Sequence, residues 1–113
     1  MTKKDKDKIA ELLEKAFDAA RKATDEHYAK NPNQWFPCGF AWVRFPGKSP
    51  VVTVLKEVYG DRGGHKGYPK GWDVWNPSAD HGQWMDAKVA GANAFAKVMN
   101  DAGYECYADC RMD

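Results

Sequence analysis

Long apolar runs are missing from this chain: none approaches the roughly 20 residues needed to span a bilayer, so no membrane partner is expected. The opening Met1-Thr2-Lys3-Lys4-Asp5-Lys6 is charged and no apolar signal core follows it, which points to a cytoplasmic protein. Cysteine is scarce. Cys38, Cys106 and Cys110 are an odd number without metal-ligand spacing, which argues against a disulfide framework. On one strand Cys106 and Cys110 would face the same way about 13 Å apart, too far to bond to each other, so buried free thiols are expected. Neither sign of charge dominates: 17 Lys and Arg stand against 16 Asp and Glu, for a net charge of +1. That balance falls well short of a strong nucleic-acid signature.

Signatures of catalysis are missing as well. His27, His65 and His81 show neither H-x₃-H nor C-x₂-C spacing, so no metal site is expected. The stretch Gly60-Asp61-Arg62-Gly63-Gly64-His65-Lys66-Gly67 lacks the G-K-[ST] ending of a phosphate-binding P-loop, and it does not lead from a strand into a helix as G-x-G-x-x-G does. A triad of Cys38 with His65 or His81 and Asp73 or Asp80 can be drawn, but no nucleophile motif surrounds Cys38. The expectation is therefore no enzyme, no catalytic residue and no cofactor. Internal repeats and low-complexity tracts are also lacking.

What is present is a chain of 113 residues, 43% hydrophobic and 29% charged, which suits one globular domain with its own core. Residues 6–30 read as an amphipathic helix in which Ile9, Leu12, Leu13, Ala16, Phe17, Ala20 and Tyr28 form one stripe. Asn31-Pro32-Asn33 ends it. Two aromatic blocks follow, from Trp35 to Phe45 and from Gly71 to Pro77, and they hold four of the five tryptophans. In the first block Cys38–Phe45 reads as a strand with Phe40 and Trp42 on one face and Ala41, Val43 and Phe45 on the other. Apolar residues on both faces imply a central strand covered on both sides, or one face kept for a partner.

Ser49-Pro50 reads as an N-cap with proline at the first helical position, opening a short helix from Val51 to Tyr59 that Gly60 closes, with a strand as the rival reading because of the β-branched Val51-Val52-Thr53-Val54 run. The glycine-rich stretch 60–71 reads as a loop, and Trp72–Trp75 as the second strand. A helix from about Met85 to Ala102 buries Met85, Val89, Ala92, Ala96 and Met99, with Phe95 near its edge, and Gly103 caps it. Tyr104–Cys110 is the third strand. The expected fold is a single α+β domain in the order α-β-α-β-α-β: an N-terminal helix over 1–31, then a core over 35–113 built on a three-stranded mixed sheet packed by helices.

Two features carry possible binding chemistry. The glycine-rich loop lies in a basic middle section, where residues 31–72 hold six Lys and Arg against two acids, while 73–113 hold three against seven. Its backbone allows close approach, and Arg62, His65, Lys66, Tyr68, Lys70 and the adjoining Trp72 are its candidate ligand or partner residues. A platform of Phe40 or Trp42 with Trp72 or Trp75 is the second; ring stacking beside cations is how a base or a single strand is held. The competing reading places those rings in the core. The RNP1 pattern of RNA-recognition domains is absent.

The blocks Cys38-Gly39-Phe40-Ala41-Trp42-Val43, Trp75-Asn76-Pro77-Ser78, Gly82-Gln83-Trp84-Met85-Asp86-Ala87-Lys88 with Gly91-Ala92-Asn93-Ala94-Phe95-Ala96, and Cys110-Arg111-Met112-Asp113 resemble a family of small uncharacterised proteins encoded by bacteriophages and prophages. The resemblance spans about residues 35 to 113. Trp84 stands where that pattern has a small residue, and Cys110 where it has serine. No activity attaches to the family, so it transfers no catalytic or ligand residue. It implies a phage accessory protein in the host cytoplasm that binds a host or phage macromolecule, a host or phage protein foremost, and inhibits a defence system. The residues themselves offer a binder of single-stranded nucleic acid or a nucleotide as the alternative, with a structural virion component as a minor one.

Overall fold

A computed structural model describes residues 1–32, 37–82 and 84–112. Trp35 and Phe36 of the first aromatic block, and Gln83 and Asp113 of the family-like blocks, lie outside the described residues. The first helix, α1, runs Lys3–Lys30. It begins three residues before the apolar periodicity suggests because Thr2 and Asp5 close a reciprocal capping box, each side chain accepting from the other's backbone N–H. Its buried stripe is Ile9, Leu13, Ala16, Phe17, Ala20 and Thr24.

Strand β1 (Gly39–Phe45) is followed by the short helix α2 (Pro50–Val54), whose N-cap Ser49 accepts from the Val51 amide at 3.3 Å. The turn widens to π-type hydrogen bonding over Leu55–Tyr59 and tightens to a 3₁₀ turn at Gly60–Gly63. Next come β2 (His65–Lys66), β3 (Trp72–Trp75), α3 (Met85–Asp101) and β4 (Tyr107–Met112).

The α+β class holds, but the expected three-stranded mixed sheet is corrected, among the described residues, to four antiparallel strands in the order β2-β3-β1-β4. Helical crossovers do join parallel strands here, β1 to β2 through α2 and β3 to β4 through α3. Each such pair is separated by an antiparallel neighbour, so no two adjacent strands run parallel. From β1 onward this is the split β-α-β connectivity. The added strand is the two-residue β2, inside the stretch expected to be irregular.

Strand β4 also starts three residues later than expected. After α3, Gly103 turns at φ +94° and the Tyr104 amide donates to Met99 O. The Asn100 amide side chain then clasps Cys106, donating to its carbonyl at 2.9 Å and accepting its N–H at 3.1 Å. Residues 104–106 are thereby used by the helix end, and pairing begins at Tyr107. Strand pairing reaches Arg111 and Met112, opposite Phe40 and Gly39.

The helices meet one face of the sheet. Ala41, Val43, Phe45 and Val74 from the sheet join Leu13, Phe17, Val51, Leu55, Phe95 and Met99 in one core. Phe95, expected at the edge of its stripe, is its fully buried centre, with its ring 5.0 Å from Phe17 and 6.3 Å from Phe45. Met85 and Val89 are only half-buried, and Lys88 takes a buried position by donating to Gly39 O at 3.2 Å.

Candidate functional site

Strand alternation sends every second side chain of β1 away from the helices. Phe40, Trp42 and Arg44 therefore point to the outer face, and the register sets their neighbours: Trp42 opposite Trp75, Arg44 opposite Asp73, and Phe40, Trp42 and Arg44 opposite Arg111, Asp109 and Tyr107 of β4. His65 of β2 lies beyond Asp73. Two rows result. One is aromatic: Trp42 stacks on Trp75 at 4.8 Å and 23°, Phe40 stands edge-on to Trp75 at 5.8 Å, and His65 lies over Trp75 at 5.7 Å. Arg111 caps Phe40 from one side at 5.8 Å and Lys88 reaches it at 5.5 Å.

The second row is ionic. Arg44 grips Asp73 through Nε at 2.6 Å and the second nitrogen at 2.8 Å, a bidentate pair with Asp73 buried. The Asp73 hydrogen bond raises the Arg44 pKa further above its ordinary value, against the opposing effect of burial, and the Tyr107 side chain adds to the rise. Arg44 is thus a fixed cation between Asp73 and Tyr107.

Trp42 is only 9% exposed yet lies outside the core cluster, while Trp75 is half-buried. The indole N–H groups of both are shielded and have no hydrogen-bond partner among the described residues. Trp72, on the inner face, donates its own N–H to Gly63 O at 2.5 Å. A shielded donor without an acceptor costs about 1–3 kcal/mol.

The six candidate residues of the loop do not share one site. His65 joins the aromatic row. Arg62 turns to the helical side, with its guanidinium 4.9 Å over Phe17. Lys66 is paired opposite Trp72, whose ring carries Lys56 at 4.7 Å. Tyr68 is 90% exposed at the turn, and Lys70 walls a cavity at the end of the sheet. The loop's glycines serve the protein itself. A Cβ on Gly67 would meet Asp73 Oδ1 at 2.9 Å and Arg44 Nε at 3.0 Å, and Gly71 sits at φ +96° against Phe45 O. The turn lies directly on the ion pair.

Arg44, Asp73, Tyr107 and Arg111 are absent from the residues expected to act. Their signal is the alternation Phe40-x-Trp42-x-Arg44 beside Asp73-x-Trp75, which puts a charge of each sign at matching positions of two strands. Among the described residues no group of three or more His, Cys, Asp or Glu is placed to hold a metal ion, and no helix is long and apolar enough to cross a membrane. Compared with protein families, curated proteins and solved structures, the chain matches none.

Proposed function

We propose that this is a small non-enzymatic binding protein that holds single-stranded nucleic acid across the outer face of its sheet. The observation that carries the reading is the aromatic row on the two central strands, where half-exposed Phe40 and Trp75 are flanked by exposed His65 and Arg111. Four-stranded sheets with rings on their central strands stack bases in this way, and stacking is worth about 1–3 kcal/mol per base. The likeness to such sheets is one of layout, and the support for this chain comes from its rings and cations.

Cations are few, so stacking supplies most of the affinity. The salt dependence is accordingly shallow: about two phosphate contacts give a slope of roughly −1.4 in log K against log[salt]. Titration with oligothymidylate at low salt quenches tryptophan fluorescence, and Trp75→Ala abolishes most of the response. No quenching at low salt would exclude this reading.

The resemblance of residues 35–113 to phage proteins supplies the setting. In that setting the bound strand belongs to host or phage, and sequestering it is how such an accessory protein blunts a defence directed at nucleic acid.

A further inference from the structure

Where β1 ends, three segments line a half-open cavity of about 660 Å³: the Pro46-Gly47-Lys48 turn, the Pro69-Lys70-Gly71 turn and the approach to β4. That volume is in the range of small-molecule sites, which pair apolar walls with a few charged groups. Pro46, Pro69 and Tyr107 offer flat apolar surfaces, and Tyr107 is 53% exposed. Lys48 and Lys70 stand at the lining without a carboxylate at ion-pair distance among the described residues. Arg44 also lines it, already held by Asp73, and among the described residues Glu105 is the one acid there.

An apolar slot with two uncommitted ammonium groups suits a flat ring that carries an anion. We infer that this cavity binds a nucleoside monophosphate unit, with the base against Tyr107 and the prolines and the phosphate between Lys48 and Lys70. Glu105 opposes the phosphate and limits its affinity. Arg44 and Tyr107 belong both to the cavity and to the outer face, so the two surfaces are continuous. The phosphomonoester is therefore either that of a free mononucleotide or the phosphorylated end of a strand lying on the sheet. Only the second source rests on the proposed strand binding.

Calorimetric titrations of the full chain with 5′-AMP, adenosine, and oligothymidylates with and without a 5′-phosphate test this. The expected result is tighter binding of 5′-AMP than of adenosine by about tenfold, the scale of two exposed charge contacts. The double variant Lys48→Gln/Lys70→Gln removes that margin, and Glu105→Gln tightens 5′-AMP by about twofold. A preference for the 5′-phosphorylated strand identifies a strand end as the source, whereas discrimination confined to 5′-AMP identifies the free nucleotide. Equal binding of 5′-AMP and adenosine, no binding of either, or an unaffected double variant overturns the inference. Trp75→Ala separates the two proposals: it removes strand binding and leaves 5′-AMP in place. Strand binding that survives while 5′-AMP fails defeats the cavity alone, and the reverse defeats the outer face alone.

Discussion

The indole nitrogens behave differently on the two faces of one sheet. Trp72 has an acceptor at Gly63 O, while Trp42 and Trp75 have none among the described residues. Replacing Trp75 with Phe deletes an unsatisfied donor along with some apolar area, so its stability stays within about 1 kcal/mol of the parent. Trp72→Phe loses a made hydrogen bond and costs about 1 kcal/mol or more. Urea unfolding of both variants measures the contrast, and an equal loss in the two would mean that Trp75 is an ordinary packing residue. Asp73→Ala is harsher. It strands the half-buried Arg44 charge and is expected to cost about 3 kcal/mol, the lower range for breaking a buried pair.

The thiols separate at the same scale. Cys106 is buried, and burial, with a smaller effect from Glu105, pushes its pKa from 9.0 to about 12. Tyr28 is pushed from 10.0 to about 12 by burial first, then by its hydrogen bond to Asp80 and that carboxylate's charge. Both groups have a folded pKa above the unfolded one. The stability linked to each is fully present below the unfolded pKa and is lost as pH rises through the folded value. Urea midpoints are thus expected to fall from about pH 9 towards pH 12, and Cys106→Ala flattens the onset of that fall. In the native protein at neutral pH, the exposed Cys110 reacts with a thiol reagent well ahead of Cys106.

At the scale of elements, α1 is held by Phe17, which packs on Phe95 and Tyr59, each at 5.0 Å, with Arg62 over its ring. Tyr59 also donates to Glu14 at 2.6 Å, tying the π-type turn back to α1. Phe17→Ala is expected to cost about 3–5 kcal/mol in urea unfolding. A loss below about 1 kcal/mol would show that α1 is an appendage and not part of the core. The amphipathic stripes of α1 and α3, the Ser49-Pro50 start and the alternation of β1 and β3 are legible because each rests on local periodicity or capping chemistry. Strand β2 is not, since two residues carry no period. The start of β4 is hidden because Asn100, four to six residues upstream of residues 104–106, claims Cys106 by a side-chain clasp that spacing does not reveal. The glycine-rich stretch invites a ligand reading for the same reason that it misleads: glycine permits close approach, and here what approaches Gly67 is the Arg44–Asp73 pair of the same chain.

For the whole molecule, the helices take one face of the sheet and leave rings, a fixed ion pair and exposed His65, Tyr107 and Arg111 on the other. The presence of an aromatic platform is legible in the sequence. The sequence does not decide between core and surface, because Phe40 and Trp42 alternate with Ala41 and Val43 and either face reads as apolar. Register decides it, by pairing Trp42 with Trp75 outside the core. The most direct test of the outer face as a strand-binding surface follows the five indole N–H signals by NMR during titration with oligothymidylate at low salt. The Trp42 and Trp75 signals are expected to shift with strand concentration while that of Trp72, bonded to Gly63, stays in place. Shifts confined to Trp72 and the helices, or no shift at Trp42 and Trp75, would contradict it.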